Sequence, residues 1–178
     1  MTNQTNKLLM SQFNLTWSLA EIILSDLTVE QVFWAPTNNI WSVKQDKTGK
    51  WRGEVTIPEP TPLPNVTISW LLWHIEWWWG SINATLDQKE NMSLTEYQWS
   101  GSLADSVVLL RRFAESWKAR LNSMTLEESE REVVFLGGRL KTVAEHAAWV
   151  NSELMKNIAE IGVLKTLYQN RVASSTEK

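Results

Sequence analysis

The chain has no cysteine among its 178 residues. That absence removes disulfides, a thiolate nucleophile and every cysteine-based zinc site together. A metal would have to be held by histidine, carboxylate or water, and histidine occurs only twice, at His74 and His146. Cations are also short: 17 Lys and Arg stand against 20 Asp and Glu, for a net charge of −3. Nucleic-acid binding needs a surplus of cations on one face, so no nucleic-acid partner is expected. Glycine is sparse, and no glycine-rich phosphate loop is present. Proline is scarce but concentrated, with four residues in "IPEPTPLPN" at 57–65. The start, "MTNQTNKLLMSQ", lacks a basic segment followed by a short apolar run. No signal peptide is therefore expected, and the compartment is read as cytoplasmic. The Asn-x-Ser/Thr triplets at Asn3, Asn14, Asn65, Asn83 and Asn91 then read as coincidence.

Tryptophan is what the chain has in excess: twelve residues, five of them in "WLLWHIEWWWG" at 70–80. Val66 to Leu86 is about long enough to cross a bilayer. It carries Ser69, His74, Glu76, Ser81 and Asn83, however, and a mid-span glutamate costs roughly 2–3 kcal/mol or more. The segment reads as a buried amphipathic helix, and no membrane partner is expected.

Apolar residues at helical spacing predict four long helices, at about 5–26, 66–87, 103–123 and 143–170. Thr28 with Gln31, and Thr142 with Glu145, have the spacing of capping boxes, and Ser102 with Asp105 opens the third long helix. Thr28 starts a helix of one or two turns that Pro36 stops. Residues 34–65 form a long ordered loop, with a candidate β-hairpin turning at Asp46–Gly49. Proline fixes φ and blocks helix, so 57–65 should be extended rather than flexible. The stretch "TLEESEREVVFLGGRLK" reads as a mixed connection broken at Gly137-Gly138, and "VASSTEK" should fray. The expectation is a single all-α domain, 1–178: a four-helix bundle with a long loop between the first two helices.

Both histidines fall within predicted helices. In the last helix, His146, Val150, Glu153, Asn157, Glu160 and Leu164 share one sector. The neighbouring face, Ala147, Val150, Leu154, Ile158, Ile161 and Leu164, is apolar and is the safer core. His146, Glu153 and Asn157 then edge that core, hydrogen-bonded or lining a wet cavity. Trp73 and Trp77 flank His74 and would desolvate it. Desolvation favours the neutral imidazole, which suits a metal ligand and a buried structural histidine equally. No His-Glu-x-x-His motif and no Glu-x-x-His pair is present.

The residues resemble a known family. "LTVEQVFWAPTNNIWSV", "PNVTISWLLWHIEWWW" and "KTVAEHAAWVNSEL", in that order and spacing, are similar to the DinB/YfiT-like superfamily, four-helix bundles that include metal-dependent enzymes. The resemblance puts His74 and His146 at the first two metal positions, and Val150 where a third histidine is expected. Valine cannot ligate, and two histidines fall short of an open three-ligand site. Asp46, Glu54 or Glu59 from the loop could supply a further oxygen. Characterised relatives include thiol-dependent transferases and isomerases. The resemblance therefore implies a transferase using a divalent metal, zinc or nickel, at a degenerate site walled by Trp41, Trp73 and Trp77. The competing expectation is a non-catalytic protein on the same bundle. It would bind an unidentified small molecule through Glu153, Asn157 and Glu160, or form a homodimer anchored by exposed tryptophans.

Overall fold

The computed structural model describes residues 4–135 and 138–176. Four long helices carry most of it: α1 (Gln4–Leu24), α3 (Ile68–Leu86), α4 (Leu103–Ser123) and α6 (Val143–Thr176), with short α2 (Val29–Phe33) and α5 (Leu126–Glu130). Helices α1, α4 and α6 each bury one stripe, whereas α3 is buried over most of its circumference. The stripes are Leu9, Phe13, Trp17, Ala20 and Leu24 on α1, Leu110, Ala114, Trp117 and Leu121 on α4, and Ala147, Val150, Leu154, Ile158 and Ile161 on α6. Burial of these apolar side chains is the main favourable contribution to the fold.

Cross-helix partners fix the directions. Asn151 donates to the Leu9 carbonyl and Lys165 to that of Ile23, so α1 and α6 run parallel. Glu21 pairs with Arg111 while Asn6 donates to the carbonyl of Met124, so α1 and α4 run antiparallel. The ring pair of Trp78 with Trp149, and the contact of His74 with Glu153, set α3 antiparallel to α6. The helices therefore run up, down, down, up.

The expected caps are present. Thr28 and Gln31 bond reciprocally, as do Thr142 and Glu145, and the Ser102 hydroxyl accepts from the Asp105 N–H. Helix α3 starts at Ile68 rather than 66 because β4 (Asn65–Val66) pairs in parallel with β1 (Ile40–Trp41). The candidate hairpin is β2 (Val43–Gln45) against β3 (Trp51–Gly53). Asp46 closes its turn, accepting from Thr48, the Lys50 N–H and Arg52. The expected mixed connection holds α5 and a second hairpin, β5 (Glu132–Phe135) with β6 (Arg139–Thr142). Its turn places Gly138 at φ +71, while Gly137 lies outside the described residues.

Helix α6 continues to Thr176 instead of ending at 170 and fraying. No glycine or proline follows Gly162, and the hydroxyls of Ser174 and Ser175 bond back to the Asn170 and Arg171 carbonyls. Among the described residues no helix is long and apolar enough to cross a membrane. None of the twelve tryptophans is fully exposed: Trp34, Trp51, Trp70, Trp77 and Trp149 are half-buried and the other seven are buried.

Candidate functional site

Helix α3 is apolar nearly all round, so its tryptophans divide by depth. Trp73, Trp78 and Trp79 are fully buried, and Trp70 and Trp77 are half-buried. Four of the five indole N–H groups find acceptors, and that of Trp79 is buried without one. Trp70 donates to the Glu54 carbonyl, Trp73 to Tyr97, Trp77 to Met92 and Trp78 to the Asn157 side chain. These bonds fasten the hairpin segment and the 88–102 connection onto α3. Trp73 also lies directly under Gly53, where an added Cβ would come within 2.2 Å of its ring.

A cleft of about 1060 Å³ opens between the carboxyl half of α6 and the segment joining α1 to α3. Trp34, Trp41 and Trp70 wall one side, and Val163, Leu164 and Leu167 the other. Trp41 stacks on Trp70 (5.8 Å between centroids, 23° between planes), and Trp70 on His74 (4.8 Å, 15°). The column Trp41–Trp70–His74 is therefore a continuous aromatic wall. Asn157 and Glu160 also line the cleft.

At its inner end the His74 Nε2 lies 3.9 Å from Glu153 Oε1, too far for a hydrogen bond. The Lys156 ammonium donates to the same Glu153 oxygen at 2.5 Å. The His74 ring beside it, then Lys156, hold the Glu153 carboxyl below its ordinary value, against the opposing effect of burial. The other His74 nitrogen, Nδ1, is buried without a partner.

Of the expected site residues, the structure brings His74, Trp41, Glu153 and Asn157 together at this cleft. Trp77 touches the His74 ring but does not line the cleft, and Trp73 is buried beneath the hairpin. His146 is elsewhere. It is 4% exposed, bonds through Nε2 to the Val133 carbonyl at 2.9 Å, and meets Phe135 edge-on. It stands seven residues before Glu153, about 10.5 Å along α6, so it belongs to a different level of the core from His74. Val150 is completely buried. Of the loop carboxylates, Asp46 is committed to its turn, Glu54 to Lys44 and the Ser42 N–H, and only Glu59 reaches the cleft.

The donor set does not fit a resident divalent metal. The His146 Nε2 is occupied by a backbone carbonyl, the third position is aliphatic, and no three His, Asp or Glu side chains gather among the described residues. Trp34, Trp70 and Arg171 were not anticipated. Trp70 lies in the tryptophan-rich stretch, but only the fold shows which of its rings face the opening.

Geometry defines a mostly helical protein with an aromatic-walled cleft beside a single histidine. The family model of the DinB superfamily matches residues 12–161, and the chain belongs to that superfamily. No curated protein and no solved structure matches the chain significantly.

Proposed function

We infer that this chain is a small-molecule-binding protein on a four-helix bundle of the DinB/YfiT-like type, with its ligand in the cleft between α6 and the α1–α3 connection. One observation carries the reading. The cleft's roughly 1060 Å³, its three tryptophan walls and a mainly apolar surface edged by polar side chains are what a small-molecule site requires. Apolar surface supplies affinity there, while His74 and Glu160 are placed to orient a ligand and Asn157, bonded to Trp78 and Glu160, holds its part of the wall. The metal-dependent transferase chemistry that the resemblance implies would need donors that this chain commits to other tasks.

The test is a ligand screen by thermal shift, followed by quenching of tryptophan fluorescence. Val163 is 60% exposed and lines the cleft, so Val163→Trp should fill the site without disturbing the core. Loss of binding in that variant, with an unchanged circular dichroism spectrum, is expected. Binding that survives it, or stoichiometric zinc or nickel uptake abolished by both His74→Ala and His146→Ala, would overturn the reading.

A further inference from the structure

We propose that the cleft selects an apolar monocarboxylate, a fatty or arylalkanoic acid, with its carboxylate at Arg171 and Trp34. This rests on the reading of the cleft as a ligand site. Its shape comes first. The α6 lining runs from Lys156 to Arg171, about 22 Å along the helix axis, so an elongated ligand fits it better than a compact one. The middle of that run is apolar. Val163, Leu164 and Leu167 face Trp41 and Trp70, and Val163 and Leu167 are 60% and 48% exposed.

The two ends differ in charge. At the inner end Lys156 is already neutralised by Glu153. At the outer end the Arg171 guanidinium lies 5.9 Å from the centroid of the Trp34 ring and has no carboxylate partner among the described residues. The Trp34 Nε1–H is buried with no acceptor. One indole thus gathers two donors with no side-chain acceptor for either among the described residues. An unpaired buried N–H is costly, and an arginine recognises a carboxylate through paired hydrogen bonds. Two carboxylates also line the cleft: Glu59 makes no ion pair with Arg171 among the described residues, and Glu160 accepts from Asn157 and stands eleven residues from Arg171. That is about 16 Å along α6, too far to neutralise it. A carboxylate headgroup therefore completes the outer end, and its tail lies along α6 toward His74.

Isothermal titration of the full chain with dodecanoate and with dodecyltrimethylammonium, both below their micelle-forming concentrations, separates the outcomes. Dodecanoate should bind and the cation at least tenfold more weakly. Arg171→Gln should weaken dodecanoate about tenfold while leaving the melting temperature unchanged, since Arg171 is exposed. Trp34→Phe, which keeps a ring but removes the N–H, should weaken it about threefold. Equal binding of both amphiphiles, lost in Val163→Trp, would overturn the headgroup assignment and leave the cleft as a ligand site. So would dodecanoate binding indifferent to Arg171→Gln. No binding of either probe, together with an empty ligand screen, would overturn both.

Discussion

His146 should behave as a structural pin for the β5–β6 hairpin, and its removal should cost the same whether or not metal is present. The ring is nearly inaccessible, donates to the Val133 carbonyl at 2.9 Å, and packs against Phe135. In His146→Ala the bond's net contribution of about 1 kcal/mol is lost and a cavity opens beneath the hairpin, while the Val133 carbonyl stays within the β5–β6 pairing with Lys141. A loss of about 2–4 kcal/mol follows. His146→Gln keeps an N–H of similar reach and should recover about 1 kcal/mol of that. Urea unfolding of wild type and both variants, each with EDTA and with excess zinc, decides the matter. A metal ligand would behave otherwise, because zinc at a thousand times its dissociation constant stabilises a folded protein by about 4 kcal/mol. If chelation lowers wild type to the level of His146→Ala, and zinc restores it, the structural account of His146 is refuted.

Two further expectations concern the packing that holds the cleft in place. Glu76 is a buried carboxylate with no cation beside it among the described residues, accepting from Tyr97 at 3.0 Å and Trp99 at 3.1 Å, and burial raises its pKa despite these bonds. Between the unfolded value near 4.5 and the raised folded value, the folded chain holds more protons. This group's contribution to stability therefore falls as pH rises through that window and recovers on acidification. The unfolding free energy of wild type minus that of Glu76→Gln should shift in favour of wild type as pH drops from 7 toward 5, and a flat difference would refute the assignment. Gly53→Ala would set a Cβ 2.2–2.5 Å from three ring atoms of the fully buried Trp73, whose N–H is held by Tyr97. It should cost about 1–3 kcal/mol by overpacking. Gly49→Ala, in open space at φ +79, should cost about 1 kcal/mol through backbone strain alone; equal losses at the two positions would contradict the packing argument.

The parts of this fold that local chemistry dictates are legible in the sequence. Helix stripes repeat at 3.6 residues, and Thr28, Ser102 and Thr142 bond to groups three residues away. The β5–β6 hairpin is less legible: Glu132, Val133, Val134 and Phe135 alternate exposed and buried, but Val-Val-Phe is a continuous apolar run in the sequence, so the period of two shows only in the fold. The two-residue parallel pairing of Ile40–Trp41 with Asn65–Val66 carried no signal, because its register depends on partners some twenty-five residues apart. The length of α6 was misjudged for a related reason. Serines usually favour caps and turns, yet at 174 and 175 they bond back into the helix.

Helical periodicity assigns a residue to a face but says nothing about its level along a partner helix, and that distinction decides the site. His74 and His146 both flank the core faces of their helices, so a wheel diagram brings them together. Antiparallel packing of α3 on α6 sets His74 opposite Glu153 and Trp78 against Trp149, so His146 falls about two turns away from His74. Its own level is closed by the β5 backbone, which takes the Nε2. The polar stripe of α6 is then divided. His146 serves the hairpin, Glu153 is shared between His74 and Lys156, Asn157 receives Trp78, and only beyond Glu160 does the helix present an unfilled apolar surface to the tryptophans. Nothing in one helix's pattern could assign those four roles, since each is set by the element packed opposite it. The cleft therefore runs from His74 toward the carboxyl end of α6, away from His146.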